Sequence, residues 1–377
     1  MSRIALLFII LFVPFSICLA QSGRRPAATP TPEVRNDVTG DYSESKPLPQ
    51  RRRLSETTFR SVRSPAKKVK DDLPRQQTLR GDEADVITVD TDLVTIPVSV
   101  FDRNGLYIPG LDKDDFQIFE DGKRQEISYF GSTDKPFTVV LLLDTSLSAQ
   151  YRIGEIQEAA VAFVDQLGSQ DQVMVLEFDG DVKVLSEATN DREKLYRAIR
   201  KASFGSGTSL YEAVDFALRK RLEKVAGRKA IVLFTDGVDT TSKKKYNYDS
   251  TLDMAEESEA PIFVVYYNTY GSGPAQDPWG RRLSTIGTSA AEYALGRKYL
   301  EELSAYTGGR VFQPEAIPGG LQAAFEGIAI ELRRQYNIGY IPSETGSPGQ
   351  RKQIRVRVGR PGLVIRARDS YVVGAAK

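Results

Sequence analysis

Four stretches of the chain, FTVVLLLD (137–144), QVMVLEF (172–178), KAIVLFTD (229–236) and APIFVVYY (260–267), are apolar at consecutive positions. A strand with water on one face alternates apolar and polar residues, so continuous apolar runs must be covered on both faces, as in a parallel sheet. The first, third and fourth runs fit that description best. Between and after them lie segments with helical spacing: 154–168, 192–202, 208–225, 297–308 and 319–336, with a short strand at 309–314. Strands alternating with helices predict βαβ units, hence a doubly wound α/β sheet of about six strands over residues 136–336.

The flanks carry a different rhythm. VITVDTDLVTIPVSVFD (86–102) alternates, and Asn104-Gly105 and Asp121-Gly122 follow where hairpins turn, predicting a small antiparallel β module over 86–135. YNIGYIP (336–342), KQIRVRVGR (352–360) and LVIRARDSYVV (363–373) alternate again. Either group alone would leave unpaired edges and a thin core. Residues 337–377 are therefore expected to pack with the N-terminal module as one β-sandwich, with the α/β domain inserted between them.

Residues 1–20, MSRIALLFIILFVPFSICLA, read as a secretory signal peptide cut after Ala20. The apolar run is too short and too interrupted by Pro for a span of about 20 residues, so no membrane span is expected after cleavage. Acylation at Cys18 is the alternative, but Ile17 is a poor residue before such a site. Residues 21–85 are rich in Pro and charge and nearly free of aromatics, the composition of a disordered tether. The clusters Arg51-Arg52-Arg53 and Lys67-Lys68 lie there, either solvated or touching an anionic envelope polymer. The expected location is periplasmic, cell-surface or secreted.

Composition excludes much chemistry. The chain has no histidine, and its one cysteine is Cys18, which rules out imidazole-based triads and His-ligated zinc. Net charge is +1, from 51 basic and 50 acidic residues, so no global field draws the chain to nucleic acid.

Three motifs end or follow the buried strands: Asp144-x-Ser146-x-Ser148, Thr208 at a helix start after Gly205 and Gly207, and Asp236 in TDG. In an open α/β sheet, ligands sit beyond the carboxyl ends of the strands. Two carboxylates and three hydroxyls form an oxygen-only donor set, which suits Mg²⁺ or Mn²⁺ and disfavours zinc or copper. Taken singly, each motif is equally a polar turn or helix cap.

Together and in this order, the motifs resemble the metal-ion-dependent adhesion site of von Willebrand factor type A domains, over about 136–336. The flanking segments also resemble secreted acidobacterial-type relatives in which such a domain is embedded. The resemblance implies that Ser146 and Ser148 bind the cation directly and Thr208 directly or through water. Asp144 and Asp236 would act largely through water, and a carboxylate from a protein partner would complete the coordination. It implies divalent-dependent protein binding without catalysis.

Other signals have weaker claims. GSGT (205–208) lacks the lysine of a phosphate loop. Ser64-x-x-Lys67 and Ser242-x-x-Lys245 match a serine-lysine nucleophile motif, which leaves a Ser/Lys or metal-dependent hydrolase as the enzymatic rival. Lys243-Lys244-Lys245 would face an acidic ligand or merely be solvated. Arg355 and Arg357 line one face of a strand, and a structural envelope protein holding anionic polymer there is the third reading. Residues 268–297, with the single Trp279, form a Gly/Pro-rich insertion expected to be a loop.

Overall fold

The computed structural model describes residues 42–47, 93–131, 136–146, 153–267, 289–314 and 319–374. The segment read as a signal peptide, most of the segment read as a tether, Ser148, and residues 268–288 of the expected insertion lie outside the described residues. In chain order, β1 (Ser43–Glu44), β2 (Val94–Phe101), β3 (Phe116–Glu120), β4 (Lys123–Gln125) and β5 (Ile127–Gly131) precede the α/β region. That region contains β6 (Phe137–Asp144), α1 (Ile153–Gln166), β7 (Gln172–Phe178), β8 (Val182–Thr189), α2 (Arg192–Lys201) and α3 (Leu210–Asp215). It continues with β9 (Arg228–Thr235), α4 (Tyr248–Glu257), β10 (Ile262–Tyr266), α5 (Ala290–Thr307), β11 (Val311–Phe312) and α6 (Gly320–Arg333). The chain then returns through β12 (Tyr336–Tyr340), β13 (Arg351–Val358), β14 (Val364–Arg366) and β15 (Ser370–Val372).

The α/β sheet has the order β11-β10-β9-β6-β7-β8, parallel except for β8 at one edge. Every residue of β6 is buried, because α1, α2 and α6 cover one face of the sheet while α3, α4 and α5 cover the other. Burying a Leu or Val side chain contributes roughly 1.5–3 kcal/mol, so this strand anchors the domain. β7 is also buried over six of its seven residues, beyond the expectation for that run.

The two flanks form the expected β-sandwich. One sheet pairs β14-β2-β12-β5; the other pairs β1-β13-β3-β4, with β15 also on β13. Ile96, Val98 and Val100 of β2 meet Ile118 of β3, Tyr336 and Ile338 of β12, and Val356 of β13 in one core. Each sheet thus mixes strands from before and after the insertion, and neither flank closes its core alone. The β3–β4 turn places Asp121 at φ 46° and Gly122 at φ 82°, the two left-handed positions a tight hairpin of this type requires.

Four local readings change. β8 and α4 were not anticipated. α5 begins at Ala290, so residues 290–297 belong to a helix rather than the insertion loop. Ser289 caps it, accepting from the Glu292 amide, while the Glu292 carboxylate accepts from the Ser289 amide. Residues 42–47, assigned to the tether, lie on the sandwich: Glu44 pairs with Arg357, and the buried Ser43 and Ser45 hydroxyls bond the backbone around β13. Two serine hydroxyls add to the backbone ladder in holding this short strand, which hydropathy does not register.

Candidate functional site

The β6–β9 register sets Leu143 opposite Phe234, so the chain ends carrying Asp144 and Asp236 emerge side by side at the carboxyl edge. Asp144 is fully buried; its Oδ1 accepts from the Ser146 amide at 2.9 Å and its Oδ2 from the Thr235 hydroxyl at 2.7 Å. Ser146, Thr208 and Asp236 are buried beside it, and Asp236 Oδ1 accepts from the Val238 amide at 3.1 Å. Burial, and then the charge of Asp236, push the Asp144 carboxyl up to about 7, against hydrogen bonds from Ser146 and Thr235 that lower it.

Hydrogen bonds join the three loops. Thr145 O accepts from the Gly205 amide at 3.2 Å, tying the first loop to the second. Thr208 N donates to Thr240 Oγ1 at 2.8 Å, and Thr208 O accepts from the Thr240 and Thr241 amides, tying the second to the third. Gly237, at φ 84°, passes so close to Gly296 of α5 that a Cβ on either would strike the other's backbone. The Gly-Gly approach lets α5 sit against the Asp236 loop.

Four of the five motif residues are therefore gathered at one edge, and Ser148 lies outside the described residues. Thr235 was missed as a participant; its place one residue before Asp236, in a strand aligned with β6, was the available signal. Among the described residues no group of three or more Asp, Glu, Cys or His side chains is placed to hold a metal ion, and the motif itself contributes the two buried carboxylates of Asp144 and Asp236. Two carboxylates with neighbouring hydroxyls balance one divalent charge, and the donor set fits Mg²⁺ or Mn²⁺.

Other predicted groups are engaged elsewhere. The Ser242 hydroxyl bonds Asp239 and accepts the Glu212 amide, while Lys245 lies over the Tyr246 ring and Lys243 pairs with Glu212. Ser64 and Lys67 are outside the described residues. Arg357 pairs with Glu44 at 2.7 Å and lies over Phe119 and Tyr42; Arg355 reaches the same Glu44 at 3.7 Å. The arginine face is thus partly neutralised by the chain's own N-terminal strand.

Residues 138–301 match the family model of the von Willebrand factor type A domain, and this part of the chain is a domain of that type. A UPF0353 protein of Mycobacterium avium is 29% identical over 152 residues, covering 35% of this chain and 45% of that protein. The chain therefore spans less than half the length of that relative. Among solved structures, a von Willebrand factor type A protein from Catenulispora acidiphila is 13% identical, with 74% of this chain and 75% of that one covered at a TM-score of 0.41. The corresponding domain of the type V pili tip protein Mfa5 from Porphyromonas gingivalis is 14% identical, covering 52% and 94% at a TM-score of 0.38. No helix among the described residues is long and apolar enough to cross a membrane.

Proposed function

We propose that this chain is an exported protein-binding module whose grip on its partner depends on a divalent cation held by Asp144, Ser146, Ser148, Thr208 and Asp236. The observation that carries the reading is the pair of buried carboxylates at adjacent strand ends, lined by hydroxyls and joined across three loops. Two buried acids are costly unless a cation balances them. The bound ion, Mg²⁺ or Mn²⁺, would supply a Lewis-acidic position open to an outside carboxylate. Within the chain, Asp144 and Asp236 hold the charge balance, the hydroxyls offer neutral oxygens, and Thr235 and the Ser146 amide orient Asp144. Export rests on the character of residues 1–20. A protein ligand supplying an acidic side chain is the partner this chemistry selects.

The test is calorimetric titration of the full chain with Mg²⁺, repeated with Asp144→Ala. Saturable binding by the unaltered chain that disappears in the variant is expected. An unaltered chain that binds neither Mg²⁺ nor Mn²⁺ overturns the reading.

A further inference from the structure

The helix that follows Thr208 is capped from a different loop. Ser209 stands at the N-cap position of α3 but makes no side-chain cap; its hydroxyl donates instead to Asp179 O at 2.8 Å. The first amides of a helix have no partner within it and must find one outside. Here they find it in residues 239–242: Asp239 Oδ2 accepts from the Tyr211 amide at 3.0 Å, and Ser242 Oγ accepts from the Glu212 amide at 3.1 Å. Asp239 also accepts from the Ser242 amide and hydroxyl, which fixes the donor loop on itself. Thr240 and Thr241 take both backbone groups of Thr208. Lys243 closes the contact on Glu212 at 3.0 Å.

Packing leaves no slack in this contact. Gly207 has φ 85°, and a Cβ there would lie 2.5 Å from Thr241 Cγ2. The segment that begins three residues after Asp236 therefore wraps the residue that delivers the Thr208 hydroxyl. An N-cap contributed by the helix's own chain would hold the helix without referring Thr208 to Asp236; a cap contributed by the Asp236 loop does both.

We propose that Asp239, Thr240 and Ser242 are positioning residues of the cation site, setting Thr208 against Asp236 so that the two move as one unit. The inference rests on the cation reading above. Asp239 acts through the α3 amides and Thr240 through the Thr208 amide, and neither serves as a ligand.

The experiment measures Mg²⁺ affinity by calorimetry, melting in EDTA, and hydrogen exchange of the Tyr211 and Glu212 amides. It compares the full chain with Asp239→Ala, Asp239→Asn, Thr240→Val and, as control, Asp191→Ala. Asp191 caps α2, accepting from the Lys194 amide, so its loss removes a cap that is not tied to the Asp236 loop. Asp239→Ala and Thr240→Val are expected to weaken Mg²⁺ binding about 10-fold or more, the scale of lost support behind metal ligands. Asp239→Ala should also lose amide protection at Tyr211 in EDTA. Asp239→Asn, which keeps an oxygen for that amide, should recover most of the affinity. Asp191→Ala should lower the melting temperature and leave affinity unchanged. Unchanged affinity in both Asp239→Ala and Thr240→Val overturns the proposal, as does an equal loss in Asp191→Ala. If Asp239→Ala fails to fold, Thr240→Val, nearly isosteric, still decides. An unaltered chain that binds no Mg²⁺ overturns the cation reading instead.

Discussion

Two of the places where the molecule buries acidic groups treat them in opposite ways. In the sandwich, Glu120 is 2% exposed and is met by the Lys352 ammonium at 3.4 Å and by the Tyr340 and Tyr371 hydroxyls at 2.7 and 2.9 Å. Lys352 also reaches Asp121 at 3.3 Å. At the edge of the α/β sheet, Asp144 faces Asp236, and the like charge adds to burial in raising its affinity for a proton. The first group is balanced by the chain's own cation and phenols; the second collects negative charge and hydroxyls. Balanced burial is a structural solution, and concentrated like charge is what a binding site for an external cation requires.

The comparison breaks most sharply at Glu120. Glu120→Ala removes the acid and leaves a buried ammonium and two phenols without it, so a loss of about 3–5 kcal/mol is expected in urea unfolding. A loss below about 1 kcal/mol would show that the network is not balanced as described.

At Asp144 the sign reverses. With the folded-state carboxyl raised to about 7 from a usual 3.8, the folded protein holds a proton that the unfolded chain releases. The cation-free fold is therefore stabilised by that proton at low pH and loses the contribution as pH rises from about 4 through about 7. Asp144→Asn should accordingly stabilise the cation-free fold above pH 7, on the order of 1–2 kcal/mol, while abolishing stabilisation by Mg²⁺. Melting curves in EDTA and in Mg²⁺ at pH 5 and 8 check both, and Mg²⁺ should stabilise the unaltered chain more at pH 8.

The smallest effect belongs to the outer face of the sandwich. Arg355 is half-exposed and 3.7 Å from Glu44, so Arg355→Ala should cost no more than about 0.5 kcal/mol, and less in high salt.

Much of this was legible in the chain. The continuous apolar strands announced a sheet covered on both faces, and the acids and hydroxyls ending them marked its carboxyl edge. What escaped were elements whose signal is not hydropathy. β8 is only partly buried along its length, so it carries no continuous apolar run. α4 is announced chiefly by its cap, Asn247 with Ser250. β1 is held by serine hydroxyls against a strand more than 300 residues away.

By itself the sequence determined the chemistry open to the site: without histidine, and with Cys18 alone among thiols, its donors are oxygens. It also determined the inserted arrangement, because alternating strands at both ends needed each other's edges. The tertiary structure alone decided that Thr235 would hold Asp144, that Glu44 would meet Arg357, and that residues 239–242 would cap the helix after Thr208. Each of these is a hydrogen bond or ion pair between residues about 30 to 300 positions apart. Periodicity reports what a segment does with its own neighbours, whereas such contacts exist only once the sheet has set strand ends side by side.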